Sequence, residues 1–332
     1  MRDVAALAGV GIKTVSRVIN REPNVSSATI ERVQSAATRL NYHPDIQAGN
    51  LRRSDRRTQT LGLLVGSVAN PFSGAVHRSI EDAAASRGVA VFASSLDDDP
   101  ARERVAVSAF LRRRVDGLIL TPVSKSQGYL LSEQEHGTPV VFIDREPSGI
   151  DADAIVSNNA EGAALATRHL LEQGHRRIAF LGDRHDIWTA SERRRGFLEE
   201  LGRAGVPTGE AWLVEDLHDE HTAHAAIEGL FAGARRPTAV FSAQNLITIG
   251  AIRGLREREL QKKVALVGFD DVELGDLLDP GLSVIAQDPD RIGTLAAERV
   301  FARLDGDDRP PKTVVVPTTL IERGSGEIRP HE

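Results

Sequence analysis

Apolar residues recur three and four positions apart in three short stretches of the first forty residues. That period is typical of amphipathic helices, so it predicts three of them, separated by polar breaks. Between the first two lies Gly9-Val10-Gly11, a short connection in which glycine can adopt a positive φ. Two helices joined in this way form a helix-turn-helix. The apolar positions expected to pack together are Val4, Leu7, Ala8, Val15, Val18, Ile19, Ile30, Val33, Ala37 and Leu40.

The second predicted helix places Ile12, Lys13, Ser16 and Arg17 on the face opposite its apolar residues. Lys13 and Arg17 are four positions apart, so both side chains point the same way and can reach guanine O6 and N7 in a major groove. Thr14, Ser16 and the helix N-terminus suit phosphate oxygens. The alternative is an ordinary solvated helix face, but the adjoining turn favours a DNA-reading face.

From residue 61 onward, short β-rich runs alternate with stretches at helical period. Such alternation is typical of parallel sheets with helices on both faces. About ten strands are too many for one comfortable sheet, so two lobes are expected, with a ligand crevice at the carboxyl ends of their strands. The predicted strands are LGLLVGSV, VAVFASS, GLILTPV, PVVFID, AIVSN, RIAFLG, AWLVE, TAVFSA, VALVGFD and LSVIAQD.

Residues 44–60 separate these two regions and contain few apolar residues, one glycine and a dense basic run. An isolated helix shorter than about 12–15 residues is marginal in water. Gly49 would cost such a helix roughly another 1 kcal/mol relative to alanine. We therefore expect this segment to be a disordered linker in the absence of DNA.

The composition narrows the class of protein. A chain of 332 residues with 41% hydrophobic and 27% charged residues is long enough for two or three folded units. The absence of cysteine excludes disulfide scaffolds, thiolate zinc sites and cysteine nucleophiles, and it suits a reducing cytosol. Because the N-terminus lacks an apolar signal region and the longest apolar run, residues 61–69, cannot span a bilayer, we expect a cytoplasmic protein with no membrane partner.

The charge is distributed unevenly. The first 57 residues hold ten Lys and Arg against five acids, a net charge of +5, which leaves −11 for the rest of a chain with a total of −6. A small basic region attached to a large acidic body indicates that the basic region meets a polyanion.

Polar and aromatic side chains follow several predicted strands, at the edge where the crevice should lie. Arginine and aspartate offer donor and acceptor pairs to vicinal hydroxyls, while Phe72 and Trp188 could stack on the apolar faces of a sugar. Trp212 lies inside a strand and is expected in the core. The segments concerned are Asn70-Pro71-Phe72, Asp144-Arg145, Trp188 to Arg193, Gln244-Asn245 and Phe269-Asp270.

The sequence contains few residue patterns that would indicate a catalytic site or a metal site. His218, His221 and His224 share the spacing of a helical metal site, but they stand in a charged stretch that reads better as a helix start. Asp97-Asp98-Asp99-Pro100 reads as a solvated loop before a helix. No GxxxxGK[ST], GxSxG or strand-linked GxGxxG occurs. We therefore expect no enzyme activity, no metal and no cofactor.

The run DVAALAGVGIKTVSRVIN, followed by NVSSATIERVQSAATRLNYHP, resembles the DNA-binding domain of the LacI/GalR family of bacterial transcription regulators. The resemblance implies that Ile12, Lys13 and Arg17 read bases and that Asn24 and Ser26 lie near the DNA backbone. It aligns Ala48 and Leu51 with a hinge helix whose leucine enters the minor groove, and Arg52 follows as a general DNA contact. Met1 replaces the usual Thr-Ile, so the first helix is expected to lack an N-cap.

The body also resembles this family, through NPFSGAVHRSIEDAA, RRRVDGLIL, LLEQGHRRIAFLGD, SERRRGF and VALVGFDD. The implied fold is an all-α helix-turn-helix domain (1–44), a hinge (45–60) and an α/β core (61–332). That core is of the periplasmic-binding-protein type I fold, with two doubly wound parallel-sheet lobes at about 61–157 plus 289–320 and about 158–288. The chain would cross three times between them and end as one strand and a tail.

The resemblance places eight residues at effector-contact positions and implies a homodimer on a near-palindromic operator. Where the family usually has Asn-Asp and Asp-Asn, this chain has Gln244-Asn245 and Asn158-Asn159, so a polyhydroxyl effector such as a sugar is favoured over a cation. A free-standing sugar receptor is the alternative, but it would need a secretion signal and no basic head. The eight residues are Asn70, Phe72, Arg145, Asn158, Arg193, Asn245, Asp270 and Gln287, and Trp188 joins them as the stacking candidate, which makes nine expected effector contacts.

Overall fold

The computed structural model describes residues 1–19, 22–42, 57–207 and 212–330. It divides into two compact units, one comprising Met1–Thr60 with Arg114–Asp116 and the other comprising Leu61–Arg113 with Gly117–Glu332. The expected hinge residues Ala48, Leu51 and Arg52 lie outside the described residues.

The N-terminal unit contains the three predicted helices, α1 (Arg2–Ala8), α2 (Ile12–Ile19) and α3 (Ser27–Arg39). Gly9 ends α1 at φ 64, the conformation that the turn requires and glycine adopts without strain. Met1 caps α1 without a side-chain hydrogen bond, as expected. The helix-turn-helix prediction is confirmed, and its core contains Val4, Ala5, Ala8, Val15, Val18, Val33 and Ala36.

Two of the residues predicted for this core are instead exposed. Leu7 is 43% exposed and Leu40 is 44% exposed. Leu40 lies beyond the last turn of α3, where it is the C-cap residue. Leu7 belongs to the last turn of the seven-residue helix α1, and it lies outside the packed core.

The first sheet of the larger unit has six strands in the order β11-β5-β4-β3-β1-β2 within the described residues. The neighbours from β11 to β1 are parallel, with Leu63 opposite Ile119 and Ile119 opposite Val141. Its strands are β1 (Thr60–Val65), β2 (Ala90–Ser95), β3 (Gly117–Leu120), β4 (Val140–Ile143), β5 (Asp153–Ser157) and β11 (Thr313–Val316). The helices of this lobe are α4 (Pro71–Ala85), α5 (Pro100–Arg112), α6 (Leu131–Glu135) and α11 (Pro289–Leu304).

The second sheet repeats this arrangement in the order β12-β10-β9-β8-β6-β7, again within the described residues. Its strands are parallel except β12, which pairs antiparallel with β10. Its strands are β6 (Ile178–Leu181), β7 (Trp212–Val214), β8 (Ala239–Ser242), β9 (Ala265–Phe269), β10 (Ser283–Ala286) and β12 (Thr319–Ile321). The helices of this lobe are α7 (Asn159–Glu172), α8 (Trp188–Arg203), α9 (Glu220–Ala232) and α10 (Asn245–Glu257).

The chain passes between the lobes after β5, after β10 and after β11. The expectation of a single C-terminal strand was wrong, because β11 and β12 lie in different sheets. Pro317 stands between them and has no amide hydrogen to continue a ladder. The last crossing therefore lies between Val316 and Thr319, a few residues before the expected boundary near 320.

Each lobe has an apolar core between its sheet and its helices. In the second lobe Phe180, Phe197 and Phe241 are fully buried, and the ring centroid of Phe180 lies 5.1 Å from Phe197 and 5.7 Å from Phe241. Aromatic pairs at such distances contribute about 0.5–1.5 kcal/mol beyond their buried area. Trp212, expected in this core, packs half-buried at its edge with Arg235 above its ring.

Helices α7 and α8 pack so closely that Gly196 has no room for a side chain. A Cβ at this position would lie 1.9 Å from the carbonyl oxygen of Ala160. Gly196→Ala should therefore force the helices apart, cost about 1–3 kcal/mol or more, and lower Tm by about 5 °C or more in thermal unfolding. Gly202→Ala on the same helix is the control, because no atom lies within 4 Å of a Cβ there. It should leave Tm unchanged or raise it, and an equal loss in both variants would contradict the packing argument.

Candidate functional site

The outward face of α2 is arranged as the sequence predicted. Ile12, Lys13 and Arg17 are exposed, Thr14 and Ser16 are half-buried, and Val15 and Val18 face the core. Arg17 Nε lies 3.5 Å from Glu22 Oε2, and both side chains are about half exposed, so the pair does not hold Arg17 away from a groove. This face therefore presents two cations in one direction.

Asn24 and Ser26 lie between α2 and α3, and both are exposed. Asn24 adopts φ 70, and the Ser26 hydroxyl oxygen accepts a hydrogen bond from the Thr29 amide at 3.4 Å. Ser26 therefore acts first as the N-cap of α3. The contact of both residues with DNA stays a prediction.

A cavity of about 480 Å³ lies between the two lobes, at the carboxyl ends of the strands. Its walls come from both sheets, as the alternation of strands and helices predicted. Seven of the nine residues expected to contact an effector line it: Asn70, Phe72, Arg145, Arg193, Asn245, Asp270 and Gln287.

Two asparagines join the lobes across this cavity. Asn70 Nδ2 donates to Asn245 Oδ1 at 3.1 Å, and Asn245 Nδ2 donates to Asn70 Oδ1 at 2.9 Å. Helix starts fix both residues: Asn70 caps α4 by accepting from the Phe72 amide, and Gln244 caps α10, which begins at Asn245. Since each amide belongs to a different lobe, the pair holds the lobes together at this edge.

Arg145 lies at the end of β4, and its side chain is only 10% exposed. Its Nη1 lies 2.7 Å from Asp98 Oδ1, and its Nε lies 3.6 Å from Asp144 Oδ2. Asp98 was expected in a solvated loop, but its side chain is only 11% exposed and lines the cavity. That expectation was wrong for Asp98, although Asp99 does cap α5.

Arg193 reaches the cavity from α8 of the other lobe and is 5% exposed. Its Nε donates to Asn159 Oδ1 at 2.7 Å, its Nη1 donates to the Ala243 carbonyl at 2.8 Å, and its guanidinium lies 3.7 Å from the Phe269 ring centroid. These contacts fix the guanidinium plane before any ligand arrives.

Asp144 and Asp270 occupy equivalent places in the two lobes, each directly after the fourth strand of its lobe. Both have a positive φ, 67 and 72, which turns the chain sharply at the cavity wall. Burial raises the pKa of both carboxyls. The positive charges of Arg145 and Arg193 oppose this rise at Asp144. At Asp270 the rise is opposed by the charge of Arg193 and by the hydrogen bond from Gln287. Gln287 Nε2 donates to Asp270 Oδ1 at 2.6 Å, which orients that carboxylate toward its neighbours.

Trp188 and Asn158 do not lie among the residues that line the cavity. Trp188 begins α8 rather than standing in a loop, and its neighbours Ile187 and Thr189 line the cavity instead. Asn158 Oδ1 accepts from the Thr318 amide at 2.7 Å, which ties β5 to the last crossing. The residue that contacts the site is Asn159, through Arg193.

The cavity also contains Asp183 and Thr121, which the sequence analysis did not name, and His218, which it considered only as a metal ligand. Each of them lies just after a strand, namely β6, β3 and β7. Their position after a strand is the signal that located Asn70, Arg145, Asn245 and Asp270, so the same signal could have found them.

The three closely spaced histidines do not form one site. His218 Nδ1 lies 2.9 Å from Asp183 Oδ1, whereas His224 Nε2 lies 2.8 Å from Glu257 Oε2 on another helix. Among the described residues, the ligand-type atoms of His169, Glu322 and Glu327 lie within 4.8 Å of one another. Glu327 also accepts from the Ser283 hydroxyl and the Gly324 amide, so this group fastens the C-terminal segment to the second lobe.

The hydrogen bond with Asp183 raises the pKa of the His218 imidazole above its ordinary value of 6.5. A raised folded-state pKa stabilises the fold fully at low pH, and this contribution is lost as pH rises through the raised value. His218→Gln should therefore lower Tm more at about pH 5.5 than at about pH 8.5. His185→Gln is the control, because His185 is 78% exposed and lies 3.6 Å from Asp216. A Tm difference for His218→Gln that does not change with pH would contradict the assignment.

No helix among the described residues combines the length and the apolar character needed to cross a lipid bilayer.

Two family models match this chain. The model for bacterial regulatory proteins of the lacI family matches residues 1–45, and the model for a periplasmic binding protein-like domain matches residues 167–326. The first covers the helix-turn-helix, and the second covers most of the second lobe together with α11, β11 and β12.

Two curated relatives extend over nearly the whole chain. The ribose operon repressor of Escherichia coli (strain K12) is 32% identical over 328 residues, covering 98% of this chain and 99% of that protein. The HTH-type transcriptional regulator GalR of the same organism is 32% identical over 327 residues, covering 98% and 95%. Among solved structures, the lac repressor dimer bound to operator and the anti-inducer ONPF has a TM-score of 0.84 at 26% identity and covers 98% of each chain.

Proposed function

This chain belongs to the LacI family of bacterial regulatory proteins, and on that basis we propose that it is a DNA-binding transcriptional repressor controlled by a small effector. The effector, a sugar or sugar derivative, binds between the two lobes and sets the affinity for the operator. The observation that carries this proposal is one cavity lined from both lobes by Phe72 and by six of the expected polar residues, which can hydrogen-bond hydroxyls. Its relatives are named as a repressor and a transcriptional regulator, which supports a regulatory rather than a catalytic role.

The head, residues 1–44, reads the operator through Ile12, Lys13 and Arg17. Residues 45–60 are the hinge, and residues 61–332 are the effector-binding and dimerising core. The protein acts as a homodimer in the cytoplasm, because two heads related by a two-fold axis fit a near-palindromic operator. The relative solved as a dimer on operator DNA supports this arrangement.

The lobes supply the link between effector and DNA. Asn70 and Asn245 connect them across the cavity, and an effector that contacts both sides changes the angle between the lobes. A change in lobe angle alters the spacing of the two heads and the order of the hinge. Couplings of this kind are typically about 1–3 kcal/mol.

The test has two parts, both on the full chain. Operator fragments are first selected from a randomised duplex library, and their affinity is compared with that of scrambled DNA by fluorescence anisotropy at fixed salt. Sugars are then screened by thermal shift, where a ligand at about a hundred times its Kd adds about 2.7 kcal/mol. We expect a two-fold symmetric selected sequence, and a sugar that both raises Tm and changes operator affinity. The absence of any preferred sequence would overturn the proposal.

A further inference from the structure

The cavity carries more negative than positive charge. Among the described residues that line it, six aspartates face two arginines and one histidine. Asp97 pairs with Arg102 and Asp183 pairs with His218, so these two acids are balanced locally. The net charge that a ligand meets then depends on which carboxylates are paired with Arg145 and Arg193.

Asp98 neutralises Arg145 before any ligand binds. Both side chains are nearly buried, and the Asp98 Oδ1 to Arg145 Nη1 distance is 2.7 Å. Within the described structure Asp98 Oδ1 and Arg145 Nε are both fully buried, and neither makes a hydrogen bond of good geometry, so Asp98 balances the charge of Arg145 as an ion pair. The charge of Arg145 is therefore already balanced within the wall of the cavity.

Arg193 is similarly committed. Two of its nitrogens donate to Asn159 and Ala243, and its guanidinium face lies on the Phe269 ring. Its charge is shared electrostatically with the buried carboxylates of Asp144 and Asp270. The positive charge of each cavity arginine is therefore already balanced by nearby carboxylates, and neither arginine needs an anionic ligand.

We infer that the cavity takes an uncharged polyhydroxylated ligand and rejects its phosphate ester, and that Asp98 determines this choice by neutralising Arg145. The inference rests on the proposed function and names the chemical class of the effector.

A hydroxyl group matches this wall because it donates and accepts at the same time. Hydroxyls of such a ligand can donate to the carboxylates of Asp144 and Asp270, which line the cavity. The phosphate group of a dianionic monoester only accepts hydrogen bonds, and it would bring two negative charges close to these carboxylates. Burial already raises the pKa of Asp144 and Asp270, so the site holds its existing negative charge at a cost.

The first measurement needs no variant. Ribose, galactose and fructose are each titrated by calorimetry against the full chain beside ribose 5-phosphate, galactose 1-phosphate and fructose 1-phosphate. For the sugar that binds, we expect the phosphate ester to bind at least about 100-fold more weakly, since like charges in a desolvated site cost several kcal/mol.

The second measurement tests Asp98. In Asp98→Asn the guanidinium of Arg145 loses its closest carboxylate, so the ratio of phosphate-ester to free-sugar affinity should rise at least about tenfold. Asp82→Asn removes one carboxylate from an exposed pair with Arg78 on α4 and is the matched control. It should leave the ratio as it is in the unsubstituted chain.

The outcomes separate this inference from the proposed function. A phosphate ester that binds the unsubstituted chain as tightly as its neutral parent overturns the inference and leaves the sugar-responsive repressor standing. An unchanged ratio in Asp98→Asn overturns the role of Asp98. If no sugar or ester binds although the same preparation selects operator DNA, the proposed effector class fails, and the inference fails with it.

Discussion

Replacing Arg193 by methionine should abolish the change in operator affinity that the effector causes. The substitution keeps a side chain of similar length on α8 but removes the donors to Asn159 and Ala243 and the charge beside Asp144 and Asp270. Hydrogen bonds to charged groups contribute about 1.5–3 kcal/mol each. The variant loses both the direct contact of Arg193 with the effector and the contacts that orient its guanidinium. Its affinity for the effector should therefore fall by about 100-fold or more.

The measurement pairs calorimetry of the effector with anisotropy of the operator, on the same preparations. Arg194→Met is the control, because Arg194 neighbours Arg193 on α8, is 40% exposed and pairs with Glu215 at 2.9 Å outside the cavity. We expect Arg194→Met to bind effector normally, and Arg193→Met to show the same operator affinity with and without effector. Equal effector affinity in the two variants would remove Arg193 from the binding site.

The residues at strand ends were predictable because the topology is strongly constrained. Parallel strands bring their carboxyl ends to one edge, so any polar residue directly after a strand is a candidate for the crevice. Asn70, Arg145, Asn245 and Asp270 were found in this way, and the structure places all four at the cavity. The outward face of α2 was predictable for a similar reason, since a helix of fixed period leaves little choice of face.

The same reasoning does not resolve neighbouring positions. Successive residues on a helix point about 100° apart, so a shift of one position moves a side chain off the cavity wall. Trp188 was chosen although Ile187 and Thr189 line the cavity, and Asn158 was chosen although Asn159 contacts Arg193. A sequence therefore shows that such a segment lies near the site, but it does not show which of two neighbouring residues faces the cavity.

Asp98 was missed for a different reason. Asp97-Asp98-Asp99-Pro100 has the composition of a solvated loop, and one of its members, Asp99, does only cap a helix. The function of Asp98 depends on Arg145, which lies 47 positions along the chain at the end of a strand that is not adjacent to β2. Pairing of this kind depends on tertiary structure and has no local signature in the sequence.

Replacing Arg17 by alanine should relax the choice of bases rather than weaken all DNA binding. Arg17 is exposed on the outward face of α2, with Lys13 one turn before it. A bidentate contact to guanine discriminates against a wrong base by about 1–3 kcal/mol. Because a dimer carries two heads, the ratio of operator to random-DNA affinity should fall by about 100-fold or more at fixed salt. Loss of the exposed pair with Glu22 should add little.

The test compares anisotropy titrations on the selected operator, on operators changed at single positions, and on random DNA. Arg39→Ala is the control, since it removes the same charge from an exposed site in the last turn of α3, outside the reading face. Arg52→Ala should weaken every sequence alike, as a backbone contact does. For Arg17→Ala we expect tolerance of base changes at the position it reads, with affinity for random DNA close to that of the control. A uniform loss on specific and random DNA would instead assign Arg17 to the phosphates, and the reading of bases would then depend on Lys13 and Ile12.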